Sequence, residues 1–467
     1  MKKSLLAVAV VGAFASAAQA QSSVTVYGIL DVGYAGSNSN TSNRVNATGA
    51  AAATSSSYAV GNGLNNAGGG ANPSGVNKAT YSGLGQSAQS TSRLGFKGTE
   101  DLGGGTSAFF TAEFGLYPQD QDVSGTDQMG LRNRQTFVGL KKNGLGDSAI
   151  GTQYTPVHVA VSKTDPGGQN NQTGSVIYTG QGDGYNIQGR TGGNAGAYQT
   201  RYSNSITFNT ETLAGFQGHL MGVLNNQNST VTTVNATQGN TLAGGRFNTN
   251  GWVAGADYTW KKLFVTANYS SMKNINDNTA CPTNNQNAAV QPNANAGCSF
   301  APFGQSSPVG VPMVAATGRA AATSNAGNPM NAVDVTQYYA GTYDFGILKA
   351  YVNYINRKAS EQTDAAIYTS RTAQQIGVNS YITPTIQTWA SVGTGKFTPL
   401  GTAQPGAGFS AWQLGSNYFL SKRTNLYAIY GQYSQGASNY SPTLGGAAIN
   451  SYSLRADSYA VGVRHTF

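Results

Sequence analysis

Charge is scarce in this sequence. Asp, Glu, Lys and Arg make up 10% of the 467 residues, against about 25% in ordinary soluble domains, so a conventional water-soluble globule is excluded. Long apolar runs are missing too. After the first twenty residues no run reaches the roughly 18 residues of a spanning helix, and mean hydropathy is −0.30, which excludes a helical membrane protein. The three histidines, His158, His219 and His465, are far apart and in no metal-ligand spacing. The glycine-rich turns lack the lysine and Ser/Thr of a phosphate loop, and no serine–histidine motif stands out for a barrel-held hydrolase. No catalysis, metal, cofactor or nucleic-acid partner is expected. The only two cysteines, Cys281 and Cys298, share one Asn- and Ala-rich stretch. In an oxidising compartment they would most simply pair, for roughly 3 kcal/mol in the loop-entropy picture. The alternative is two free thiols.

What is abundant is glycine (62) and tyrosine (26), arranged in segments of two-residue period. In the last strand Tyr459, Val461, Val463, His465 and Phe467 share one parity, and Ala460, Gly462, Arg464 and Thr466 the other. In Ser23–Tyr34, Val24, Val26, Leu30, Val32 and Tyr34 share one parity. Pairing these two strands would close a sheet and leave no free edge. Strands that face lipid on one side and water on the other reconcile the low charge with the low hydropathy. Before them, Lys2-Lys3, the apolar run Leu5–Ala18 and Ala18-Gln19-Ala20 read as a secretory signal peptide over residues 1–20. Its loss leaves 25 basic against 18 acidic residues, a formal +7 in place of +9.

Sixteen strands follow from the alternation, joined by seven short turns and eight longer loops. The short turns include Asp101–Gly105, Asn143–Gly146, Glu211–Gly215 and Ser421–Thr424. Residues 37–90, 156–200 and 273–333 read as long loops, rich in Asn, Gly, Ser and Ala. With the first and last strands adjacent, all short turns fall at one rim and all long loops at the other. The fold class is therefore all-β, a transmembrane antiparallel β-barrel of about 16 strands with long extracellular loops and short periplasmic turns.

Several segments resemble the Gram-negative general diffusion porins, and within them the beta-proteobacterial branch. They are Ser23–Gly28, Ser92-Arg93-Leu94-Gly95-Phe96-Lys97-Gly98-Thr99-Glu100-Asp101-Leu102-Gly103-Gly104-Gly105, Arg134–Leu140, Gln153–Pro156 and Tyr459–Phe467. The resemblance implies a homotrimer in the outer membrane of a Gram-negative bacterium, embedded in its lipids and lipopolysaccharide. It implies a barrel over residues 21–467 in which the loop at about 156–200 folds inward and narrows a passive channel for ions and small hydrophilic solutes. It also implies wall arginines at the narrow part: Arg93 and Arg134, with Arg190 and Arg201 near the loop's return. Parity independently turns Arg93 inward, opposite Leu94 and Phe96, and Arg134 inward, opposite Phe137, and Lys97 and Arg132 share the inward parity nearer a rim. The inward loop offers only Asp165 and Asp183 as carboxylates, and Ile29 stands where related porins can carry a basic residue. Together these imply a modest preference for anions. The other readings are a substrate-specific channel and a barrel that anchors an adhesion or binding protein.

Overall fold

The computed structural model describes residues 23–45, 74–118, 132–178, 201–229, 245–276, 332–361, 368–398, 407–440 and 450–467. The segment 1–20 expected to be a signal peptide, Asp183, Arg190, Cys281 and Cys298 lie outside them.

The strands are β1 (Ser23–Val45), β2 (Ser74–Gln86), β3 (Arg93–Gly103), β4 (Thr106–Gly115), β5 (Arg132–Lys142), β6 (Gly146–Tyr154), β7 (Arg201–Thr210), β8 (Phe216–Ser229) and β9 (Gly245–Trp260). They continue as β10 (Leu263–Asn276), β11 (Ala332–Asp344), β12 (Lys349–Glu361), β13 (Tyr368–Thr383), β14 (Ile386–Thr398), β15 (Ala407–Phe419), β16 (Thr424–Tyr440) and β17 (Asn450–Thr466). From β3 onward each pairs antiparallel with the next, and β17 returns to β1, with Ile29 opposite Thr466 and Val45 opposite Asn450. At that seam Gly28 and Phe467 exchange both backbone hydrogen bonds at 3.1 Å. The sheet is closed, so no edge is left to recruit another chain.

Among the described residues seventeen strands fill sixteen wall positions. β2 pairs with Val32–Arg44 of β1, and β3 pairs with Ser23–Ile29 of the same strand. They are two halves of one wall strand, interrupted by residues 87–92. This corrects the reading of 37–90 as a loop, since β1 runs on to Val45 and β2 returns from Ser74.

Parity decides what each face meets. On the outside, Val24 (64% exposed), Val138 (62%) and Ile376 (60%) stand free of the protein, as lipid-facing residues must. On the inside, Gln375, Gln413, Asn353 and Ser458 are buried and polar. Outward aromatic side chains form two rows. One row lies by the short turns, with Phe216 against Tyr258 and Tyr343 against Phe345. The other includes Trp252 against Tyr269 and Tyr339 against Tyr354. Trp252 and Trp260 on β9 link the rows, and their separation in a strand rising about 3.3 Å per residue and tilted about 40° is roughly 20 Å across the membrane. That is close to the apolar band of an outer-membrane barrel.

The inward loop begins with a helix that alternation gave no reason to expect. α1 (Pro156–Thr164) follows Tyr154 directly. Thr155 caps it by accepting the His158 amide on its Oγ1, and Pro156 opens the first turn, where its missing N–H costs nothing. α1 lies against β8 to β12 on the inner side of the wall.

Candidate functional site

The site is assembled on β3, β4 and β5. Between β4 and β5 the register slips by one residue, with Glu113 opposite Gln135 and Phe114 opposite Asn133. Arg134 is the extra residue of a β-bulge, a device that re-aims a side chain, and it turns inward. The simple alternation read from sequence is corrected here. Phe137 is on the inner side, edge-on to Phe109 at 6.3 Å between centroids, whereas Val138 and Leu140 are the exposed neighbours. Arg134 is buried. Its Nε donates to Glu113 Oε1 at 2.7 Å and its Nη2 to the Tyr154 hydroxyl at 2.6 Å.

Glu113 is the hub, and sequence reasoning missed it. It lies mid-strand on the parity opposite Phe110 and Ala112, the same signal that singled out Arg93. Besides Arg134 it has Arg93, whose Nη1 is 3.9 Å from Oε1, and Tyr27, whose hydroxyl donates to Oε2 at 3.2 Å. Tyr27 reaches it across Gly95, where any Cβ would overlap the Tyr27 ring. Arg93 is held from behind as well, donating from Nε to the Thr91 carbonyl at 2.9 Å and from Nη2 to Ser90 Oγ at 3.1 Å.

Arg201, at the start of β7, places its guanidinium 5.3 Å from the centre of the Tyr154 ring, a cation–π distance. The other partner of that ring is His158 of α1, stacked at 3.9 Å. Lys97 sits 5.4 Å from the centre of the Tyr27 ring, and Arg132 donates to the Tyr117 hydroxyl at 3.4 Å. The structure thus brings Arg93, Arg134 and Arg201 to one patch, with Lys97 and Arg132 beside it. A further inward arginine, Arg357 of β12, was not singled out from sequence. It is matched by Asp334, to which its Nε donates at 2.8 and 3.0 Å.

The loop side differs from expectation. Asp165 does not face the arginines. It is buried, accepting from the Gln169 amide at 2.7 Å and from Gln375 Nε2 at 3.4 Å and Ser175 Oγ at 3.5 Å. Burial pushes its carboxyl above the ordinary range, and burial likewise pushes the Tyr178 phenol up to about 12. The acidic partner of the arginines is Glu113 of the wall.

Residues 163–178 are seated on the inner wall by a series of polar contacts. Lys163 Nζ is 2.6 Å from Asp257 Oδ2, and Asn353 Nδ2 donates to the Thr164 carbonyl at 2.9 Å. Gln413 Nε2 donates to the Gln172 and Thr173 carbonyls at 3.2 and 3.0 Å, and the Thr173 amide donates to Ser458 Oγ at 2.9 Å. The wall makes room with glycine. A Cβ at Gly393 would overlap Val176, and one at Gly431 would overlap the Thr173 carbonyl.

The Gram-negative porin family matches residues 7–438. Outer membrane porin protein 32 of Delftia acidovorans is 35% identical over 165 residues, 35% of this chain and 35% of that protein, so the match spans about a third of the relative's length. An anion-selective porin from Comamonas acidovorans has the same fold, with TM-score 0.58 at 18% identity over 96% of this chain and 100% of that one. The trimer form of OmpT of Vibrio cholerae gives 0.51 at 12% identity over 96% and 99%. A family match over nearly the whole sequence, on a closed barrel of sixteen wall positions, shows that this chain belongs to the Gram-negative porin family and is an outer-membrane barrel.

Proposed function

We propose that the protein is a passive diffusion channel for ions and small hydrophilic solutes across the outer membrane, with a modest preference for anions. The observation that carries this reading is the charge balance of the inner patch: among the described residues Arg93 and Arg134 share one carboxylate, Glu113, and Arg201 adds a third guanidinium on the Tyr154 ring, while the loop's Asp165 is turned into the wall. One unpaired charge about 6 Å from a permeating ion in water-like dielectric contributes roughly 0.7 kcal/mol, or about a threefold bias in local concentration. Surface charges farther away than a Debye length of roughly 8 Å are screened and do not decide the matter.

The named likeness to an anion-selective porin supports the sign, and that to a trimer supports assembly as a homotrimer embedded in outer-membrane lipid and lipopolysaccharide. Residues 1–20 act in this reading as a removable export signal. Purified protein in a planar bilayer is expected to give stepwise, open conductance without saturation by any one solute. Persistent silence would overturn the channel reading, and saturable block by one solute class would replace general diffusion with a specific channel.

A further inference from the structure

The interruption between β2 and β3 is built around one buried carboxylate, Asp31 of β1. Opposite Asp31 the wall strand is absent, and residues 87–92 cross instead, tied to its backbone on both sides. The Ser87 amide donates to the Asp31 carbonyl at 2.8 Å, and the Asp31 amide donates to Ser92 Oγ at 3.1 Å. Ser87 takes a left-handed φ of 61° to make the departure. The Asp31 side chain, 0% exposed, then fixes the crossing segment. Its Oδ2 accepts the backbone amides of Gln89 at 2.9 Å and Ser90 at 2.6 Å, and its Oδ1 accepts the Tyr427 hydroxyl of β16 at 2.6 Å. Two successive amides on one oxygen make the segment an anion nest closed by the protein's own carboxylate.

Two parts of the narrow region hang from this segment. One is Arg93, held by the Thr91 carbonyl and Ser90 Oγ. The other is the inward loop, where the Asn171 amide donates to the Ala88 carbonyl at 3.0 Å and Asn171 Nδ2 to the Ser87 carbonyl at 2.7 Å and Thr91 Oγ1 at 3.2 Å. We propose that Asp31 is a positioning residue for ion selectivity: through residues 87–92 it sets where the Arg93 guanidinium stands and where the inward loop docks. It acts through Arg93 and touches no permeating ion, being fully buried. The inference rests on the channel reading above.

The test is a double-mutant cycle on the full chain, reading reversal potentials in a KCl gradient for wild type, Asp31→Asn, Arg93→Gln and the combination. Asn in place of Asp31 turns an N–H₂ toward two N–H donors or leaves Tyr427 without its acceptor, so the clamp opens. Asp31→Asn is expected to lower the anion-to-cation permeability ratio by up to about tenfold, the change that loss of the Arg93 charge in Arg93→Gln gives, and to add nothing in the Arg93→Gln background. A full additional shift in the double variant, or wild-type selectivity in Asp31→Asn, overturns the proposal. If Asp31→Asn yields no heat-resistant oligomer, Tyr427→Phe takes its place in the cycle, removing one of the three groups that hold the carboxylate. The same direction and non-additivity are then required, and wild-type selectivity overturns the proposal. An Arg93→Gln channel that keeps wild-type selectivity tells instead against the functional reading.

Discussion

Replacing Glu113 with glutamine should make the channel more anion-selective, the opposite of what replacing a wall arginine does. The change removes the carboxylate shared by Arg93 and Arg134 and keeps one oxygen that can still accept from Arg134 Nε, while the amide nitrogen takes the place of the oxygen that accepts from the Tyr27 hydroxyl. An added net positive charge about 6 Å from the ion path is worth roughly 0.7 kcal/mol in water-like dielectric. That raises local anion occupancy about threefold and lowers cation occupancy about threefold, so the permeability ratio moves about tenfold. Reversal potential in a KCl gradient reads this directly. Stability is the competing concern, because removing one partner of a buried ion pair can cost about 3–5 kcal/mol. Arg134 keeps Tyr154 at 2.6 Å, so the barrel should survive, and heat-resistant oligomer on a gel checks that separately. A folded Glu113→Gln channel with unchanged selectivity, or with a shift toward cations, refutes the assignment of Glu113 to the ion path.

Three other outcomes are expected. Removing Phe467 or making it charged should reduce the yield of heat-resistant oligomer more than the same change in a long loop, because this residue closes the β1–β17 seam and its ring lies where a Gly28 Cβ would be; equal yields would count against it. Gly431→Ala or Gly393→Ala should displace the inward loop at about 1–3 kcal/mol of overpacking, seen as larger single-channel conductance with an intact barrel, and unchanged conductance would mean that the loop is not seated there. Because burial raises the Asp165 carboxyl, its contribution to loop seating is fully present below the ordinary carboxyl pKa of about 3.9 and is lost as pH rises through the raised folded value; Asp165→Asn should flatten the pH dependence of protease resistance in the loop, and an unaltered pH profile would sink this point.

The wall was legible where lipid meets it. In β17 the parity that put Val461 outside and Ala460 inside holds, at 51% and 1% exposure, because a lipid-facing strand must carry apolar residues at every second position. Past Tyr34 that constraint ends. The outward positions of β1 become Gly36, Asn38 and Asn40, which carry no apolar alternation, so the rest of β1 and all of β2 read as loop. The bulge at Arg134 was illegible for a different reason. A register slip belongs to the pairing of β4 with β5 and leaves no trace in either strand alone. Of the candidate site, Arg93 and the inward loop were visible in motif and composition. Glu113 was visible in its parity and passed over, while the Asp31 clamp depends on contacts with residues 87–92 and with β16 that no local pattern announces. The Thr155-Pro156 start of α1 was in plain view as a capping signal.

The central claim is that inner-wall arginines outweigh the acidic groups at the narrow part. Its most direct test is the reversal potential of the wild-type channel in a KCl gradient, set against that of the Arg93→Gln/Arg134→Gln double variant. The account predicts an anion-selective wild type and a shift toward cations in a double variant that still folds. A wild type that favours cations, or a folded double variant with wild-type selectivity, would contradict it.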